Sequence, residues 1–160
     1  MTPTPAPQEA AIQPVVWHAW FDGSAAPNPG KIGIGALLVA PDGIRTEKSL
    51  PLNRCGCNNE AELHALSLVL DMAEAAGART LAIRGDSKAV ADWIVGTDST
   101  EIEPLATLVT SIRARISAFG NVSICWTPRH KNKEADRLSR RALGLSEAEP
   151  ARKKGRRRRR

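Results

Sequence analysis

Hydrophobic residues follow two rhythms along this chain. Val15, Val16, Trp17, Trp20 and Phe21 crowd together before Asp22 and predict a first strand over residues 15–22. Residues 32–40 predict a second strand, and Pro41-Asp42-Gly43 a turn into a third over 44–50. The rhythm then changes. Leu63, Leu66, Leu70 and Ala73 recur at helical spacing, so a helix is expected from an Asn58 cap to about Ala76, with Gly77 ending it. Residues 80–85, continuously apolar through Leu81, Ala82 and Ile83, have the pattern of a buried central strand. Ala89, Val90, Trp93 and Ile94 predict a following helix, and residues 104–119 another beyond a polar loop. Residues 122–126 read as a fifth strand. Asn132 is placed to cap a last helix with Ala135, Leu138 and Ala142 turned inward. A three-strand meander followed by alternating helices and strands is a mixed α/β fold.

Gly30, Gly33 and Gly35 stand in the wrong order for a phosphate-binding loop, and a strand follows them rather than a helix. They are expected to let strands or a ligand approach closely. At 160 residues the chain is read as one domain over residues 15–145, with a disordered leader at 1–14 and a disordered tail at 146–160. An apolar content of 42% and a mean hydropathy of -0.28 suit a soluble, cytoplasmic protein with no membrane partner. The start lacks the basic-then-apolar pattern of a secretory signal. Cys55, Cys57 and Cys125 are odd in number and lack the second ligand pair that zinc requires, so reduced thiols are expected.

Net charge changes meaning once it is located. The total is +6, yet residues 152–160 carry Arg152, Lys153, Lys154 and five arginines at 156–160. Removing those eight from the 23 Lys and Arg leaves 15 against 17 Asp and Glu. The body is therefore about -2, and a body rich in carboxylates attracts polyphosphate weakly.

Four acidic residues carry the candidate chemistry. Asp22, Glu62, Asp86 and Asp136 each stand where a predicted strand ends or a predicted helix begins. Alone, each reads as a turn former or a solvated helix-end charge. Together they would repel one another and resist desolvation, and a hard divalent cation is what usually holds such a cluster. Two Mg²⁺ ions roughly 3.5–4 Å apart would make the site suited to in-line displacement at a phosphodiester.

The segment Phe21-Asp22-Gly23-Ser24-Ala25-Ala26-Pro27-Asn28-Pro29-Gly30 resembles the opening motif of ribonuclease H type I. Asn58-Asn59-Glu60-Ala61-Glu62-Leu63 is similar to the second motif, Gly85-Asp86-Ser87 to the third, and His130 with Asn132-Lys133-Glu134-Ala135-Asp136 to the last. The run Pro128-Arg129-x-x-Asn132-Lys133-x-Ala135-Asp136 looks like the compact archaeal-type or reverse-transcriptase-like branch. The resemblance implies a ribonuclease H-like fold: a five-stranded mixed sheet, made of a three-strand antiparallel meander plus two parallel strands, flanked by helices. It implies an endonuclease that hydrolyses the RNA strand of RNA–DNA hybrids by a two-metal-ion mechanism, with Mg²⁺ or a substituting Mn²⁺, leaving 5′-phosphate and 3′-hydroxyl ends. Asp22, Glu62, Asp86 and Asp136 would be the catalytic metal ligands, Glu62 rather than Glu60 by register. His130 would aid proton transfer or product release, a role open equally to Arg129. Asn28, Asn58, Asn59, Ser87, Lys88 and Arg129 would contact the substrate. Cys57 stands where the family often has a phosphate-binding Thr, and Lys88 where many members have Gln. Asp98, Glu101 and Glu103 replace the basic protrusion of some members, so the polybasic tail at 152–160 is expected to supply contact with nucleic acid. A monomer is expected. The alternative reading is a catalytically silent, nucleic-acid-binding module on the same fold.

Overall fold

The computed structural model describes residues 15–145, so the expected leader and tail lie outside the described residues. Strands β1 (Val16–Ala26), β2 (Gly30–Val39) and β3 (Arg45–Gly56) pair antiparallel as a meander. Helix α1 (Asn58–Ala75) leads into β4 (Thr80–Gly85), which returns parallel to β1. Helices α2 (Lys88–Val95) and α3 (Glu103–Phe119) precede β5 (Asn121–Trp126), parallel to β4. A 3-10 turn (Arg129–Lys131) then introduces α4 (Lys133–Ala142). The strand order is β3-β2-β1-β4-β5. The sheet is five-stranded and mixed, as expected.

Alternation along the strands sorts the two faces. Ala19 and Phe21 of β1, Ile32, Ile34 and Ala36 of β2, and Leu81 and Ile83 of β4 join Leu63, Leu66, Leu70 and Ala73 of α1 in the main core. That helix is buried on most sides, which explains why its apolar residues exceed a single stripe. Among the described residues, α4 is the helix that covers the other face of β1, β2 and β3. Gly33 and Gly35 make this possible: an added Cβ would lie 2.6 Å from the Ser139 and Ala135 carbonyl oxygens, respectively. The glycines therefore admit a helix, where the sequence suggested a strand or a ligand.

Element ends differ from the expectation where local pattern is weakest. β1 continues past Asp22 to Ala26, and β3 runs on to Gly56 instead of ending near residue 50. As an edge strand, exposed along most of its length, β3 tolerates Asn53 and Arg54 that interrupt the hydrophobic signal. Cys57, not Asn58, occupies the cap position of α1, and its side chain makes no capping bond. Asn132 does stand at the cap position of α4, but its side chain also makes no capping bond. Ala142 is only partly buried. Both asparagines are occupied elsewhere.

Candidate active site

Asp22 lies in β1 where it passes beneath α1. Gly23 beside it has no room for a side chain, since a Cβ would lie 2.1 Å from the Ala61 carbonyl carbon. The backbones of strand and helix touch there, and this contact sets Glu62 against Asp22. Glu62 is the fifth residue of α1, just past its first turn. Asp86 follows the last residue of β4, in the loop before α2. One carboxylate oxygen from each of Asp22, Glu62 and Asp86 falls within 4.8 Å of the others. Glu60, two residues away, is turned aside and pairs with Arg54 at 2.9 Å.

Burial makes this trio electrostatically demanding. Asp22 is 5% and Glu62 6% exposed. Desolvation, with the charges of Asp86 and Asp136, pushes the Asp22 carboxyl up to about 7, against a hydrogen bond from Ser139 that opposes the rise. Glu62 is raised well above the ordinary carboxylate range, chiefly by burial and then by Asp22 and Asp86. Asp86 is raised by burial too, while Asn132 and Arg129 pull it back. Glu62 Oε2 is buried and has no hydrogen-bond partner among the described residues. Three converging hard oxygen donors fit a hard divalent cation.

Asp136 sits in the first turn of α4, near enough for its charge to act on Asp22 and Asp86. It lies outside the tight trio, and its Oδ1 is 3.6 Å from Arg129 Nη2. The 3-10 turn places His130 on the surface, with no polar partner among the described residues.

The expected substrate residues divide into two groups. Asn58 Oδ1 accepts from the Ala25 amide at 2.9 Å, and Asn28 Oδ1 accepts from the Asn58 amide at 3.1 Å. These bonds lash the β1–β2 turn to the start of α1, while both amide Nδ2 groups have no partner among the described residues. Asn59 is half-buried beside them. Ser87, by contrast, caps α2 by accepting from the Val90 amide at 3.3 Å. Lys88 leans along its own helix to Asp92 at 2.5 Å, a surface pair worth little and readily exchanged.

The supporting roles of two residues escaped the sequence reading. Asn132, 2% exposed, donates through Nδ2 to the Phe21 carbonyl at 2.9 Å and to Asp86 Oδ2 at 3.1 Å. It thereby joins β1, the β4–α2 loop and α4 at one point. Ser139, fully buried, donates to Asp22 Oδ2, lies 3.1 Å from Ser24 Oγ and 3.0 Å from the Asp136 carbonyl. The only signal for Ser139 was its place one helical turn after Asp136. Trp126 Nε1 donates to the Asp86 carbonyl at 3.1 Å, and the Thr127 amide to the Gly85 carbonyl at 2.9 Å, which steadies the loop carrying Asp86.

Comparison with known proteins agrees with this architecture. A family model described as reverse transcriptase-like matches residues 20–142. The chain is 35% identical over 127 residues to ribonuclease HI of Halobacterium salinarum, covering 79% of this chain and 63% of that protein. It is 32% identical over 138 residues to a bifunctional protein of Mycobacterium tuberculosis, covering 81% of this chain and 38% of that one. The chain thus spans only part of the length of these curated relatives. Among solved structures, RNase H1 from the same Halobacterium superposes with a TM-score of 0.77 at 33% identity, over 81% of this chain and 98% of that chain. LC11 RNase H1, solved in complex with an RNA/DNA hybrid, gives 0.74 at 25% identity over 80% and 96%.

Proposed function

Because the chain belongs to the ribonuclease HI family, we propose that it is an endonuclease cutting the RNA strand of RNA–DNA hybrids to 5′-phosphate and 3′-hydroxyl ends. The observation that carries the reading is the trio of buried Asp22, buried Glu62 and half-buried Asp86, with one carboxylate oxygen of each lying within 4.8 Å of the others. Asp22, Glu62, Asp86 and Asp136 would hold two Mg²⁺ ions, with Mn²⁺ as a substitute. Bound there, the metals supply an activated water and compensate charge at the phosphate and the leaving oxygen.

The rest is done by the chain itself. Ser139 and Asn132 hold one oxygen each of Asp22 and Asp86 and so restrict how the two carboxylates turn. The free amide groups of Asn28 and Asn58, with Asn59, are set to read 2′-hydroxyls on the RNA strand. Lys88 is a point charge for a phosphate beside the site. His130 and Arg129 stand on the turn next to Asp136, where a proton carrier or a product-releasing cation belongs.

Cleavage of a labelled hybrid with Mg²⁺ or Mn²⁺, wild type against Asp86→Asn, tests the proposal. Single-stranded RNA, duplex RNA and duplex DNA are the controls. Internal cuts confined to the RNA of the hybrid, and lost in Asp86→Asn, are the expected result. Binding without cleavage under either metal would leave a silent binding module and sink the enzymatic reading. The basic stretch at 152–160 supplies non-specific affinity in this scheme. Ending the chain at Pro150 is expected to weaken hybrid binding and flatten its salt dependence while sparing kcat. Affinity unchanged at low salt would remove the tail from the scheme.

A further inference from the structure

Two residues before Asp22 and Asp86 in the sequence stand Trp20 and Arg84, direct partners in the parallel β1–β4 register. A side-chain period of two puts Trp20 on the face of β1 that carries Asp22, about 7 Å down the strand. The Arg84 guanidinium lies over the Trp20 ring, 5.3 Å from its centroid, and its Nη1 is 3.0 Å from His18 Nδ1. The metal chemistry has no use for this ladder. Between it and the 3-10 turn opens a cavity of about 330 Å³, whose lining includes Trp20, Leu37, Arg45, Lys131, Asn132 and Lys133.

Size, floor and charge together narrow what the cavity can hold. Its volume is at the low end for small-molecule sites, room for one base and its sugar and far too small for a duplex. Trp20 and Leu37 contribute an aromatic and an aliphatic surface. Arg45 is paired with Glu134, which cancels the one carboxylate of the lining. Lys131 and Lys133 are exposed and have no acidic partner among the described residues. The cavity is therefore cationic in a body whose charge otherwise leans acidic. Asn132 is the shared wall: the amide that holds Asp86 belongs to a side chain that also lines the cavity, and its Oδ1 is buried without a partner among the described residues.

We propose that this cavity binds a single unpaired nucleotide of the strand that leaves the acidic cluster, its base against Trp20 and its phosphate at Lys131 and Lys133. The proposal rests on reading the cluster as a nuclease centre. A stacking surface next to phosphate-binding cations is the chemistry of single-strand recognition. Lysines alone would take any polyanion, and an aromatic floor alone any flat apolar group. Hybrids with a single-stranded extension are then better substrates than blunt ones.

The test uses the full chain without divalent metal, at about 0.15 M salt, where screening over roughly 8 Å limits long-range attraction. A labelled single-stranded pentanucleotide is titrated into wild type, Trp20→Leu and the double variant Lys131→Gln/Lys133→Gln. The tail is common to all three, so differences between them report the cavity. Trp20→Leu is expected to weaken binding about tenfold, and the lysine pair severalfold. With Mg²⁺ present, the ratio of kcat/KM for an overhanging over a blunt hybrid should fall toward one in both variants. Wild-type affinity in the double variant overturns the proposal, and so it decides the matter even if Trp20→Leu does not fold. Equal displacement of the oligonucleotide by a glutamate-rich peptide of matched charge also overturns it, leaving a merely anion-binding surface. Failure of the wild type to cut a blunt hybrid sinks the nuclease reading instead, and is seen separately from the binding arm.

Discussion

Glu62 and Asp136 carry the same functional group into opposite surroundings. Glu62 is enclosed between α1 and β1, close to two other carboxylates, with one oxygen unpartnered among the described residues. Asp136 is partly exposed on the first turn of α4 and has a guanidinium 3.6 Å away. An enclosed carboxylate cannot borrow solvent to spread its charge, so it stays neutral or takes a cation. A partly exposed one with a cationic neighbour is free to adjust. The contrast separates a rigid, enclosed half of the site from an adaptable half.

Glu62→Gln strikes the rigid half and should have the largest effect. It keeps the shape and removes the charge, so hybrid cleavage is expected to fall on the order of a thousandfold or more. The same change should raise the metal-free Tm at pH 8, because it replaces a carboxyl that must either hold a proton there or carry a buried, repelled charge. A variant that loses activity together with metal-free stability would mean that Glu62 supports the fold instead.

The pH dependence of the metal-free protein comes next. The Asp22 carboxyl titrates at about 7 in the folded chain, against an ordinary value of 3.8. A raised pKa favours the protonated folded form. Its stabilising contribution is therefore complete below about pH 4 and is lost as pH climbs through 7, by about 1.4 kcal/mol for each tenfold fall in proton concentration between the two values. Glu62 and Asp86 are raised in the same direction. Thermal unfolding in a chelator should show Tm falling between pH 5 and pH 8, with Mg²⁺ restoring more of it at pH 8 than at pH 5. A flat profile would mean that the three carboxylates are not desolvated as the fold places them.

The adaptable half should respond less. Asp136→Asn is expected to cost less activity than Glu62→Gln, and Arg129→Ala only severalfold, with KM moving more than kcat. Steady-state kinetics on a blunt hybrid measure both. Equal losses for Asp136→Asn and Glu62→Gln would erase the distinction between the halves.

Much of this was legible in the residues themselves. The order of strands and helices followed from two periodicities, because burial of one face repeats every second residue in a strand and every third or fourth in a helix. The carboxylates were visible as acidic residues at element ends. Asn132 and Ser139 were not, because an asparagine before a helix reads as a cap and a serine one turn into it reads as a bystander. Each bonds a group over a hundred residues away, in Phe21 and Asp22 respectively. Ser87 shows the opposite case, a residue picked for the site whose hydroxyl also makes a local cap.

By itself, then, the sequence determined the elements, the four acidic side chains and a family resemblance, since these depend on local pattern and residue type. The tertiary structure alone decided which of the four are buried together. That outcome turns on Gly23 letting α1 close onto β1, and on a turn that sets Arg129 beside Asp136. Desolvation and pairing are properties of neighbours brought together from distant parts of the chain, and neighbours of that kind leave no periodic trace along it.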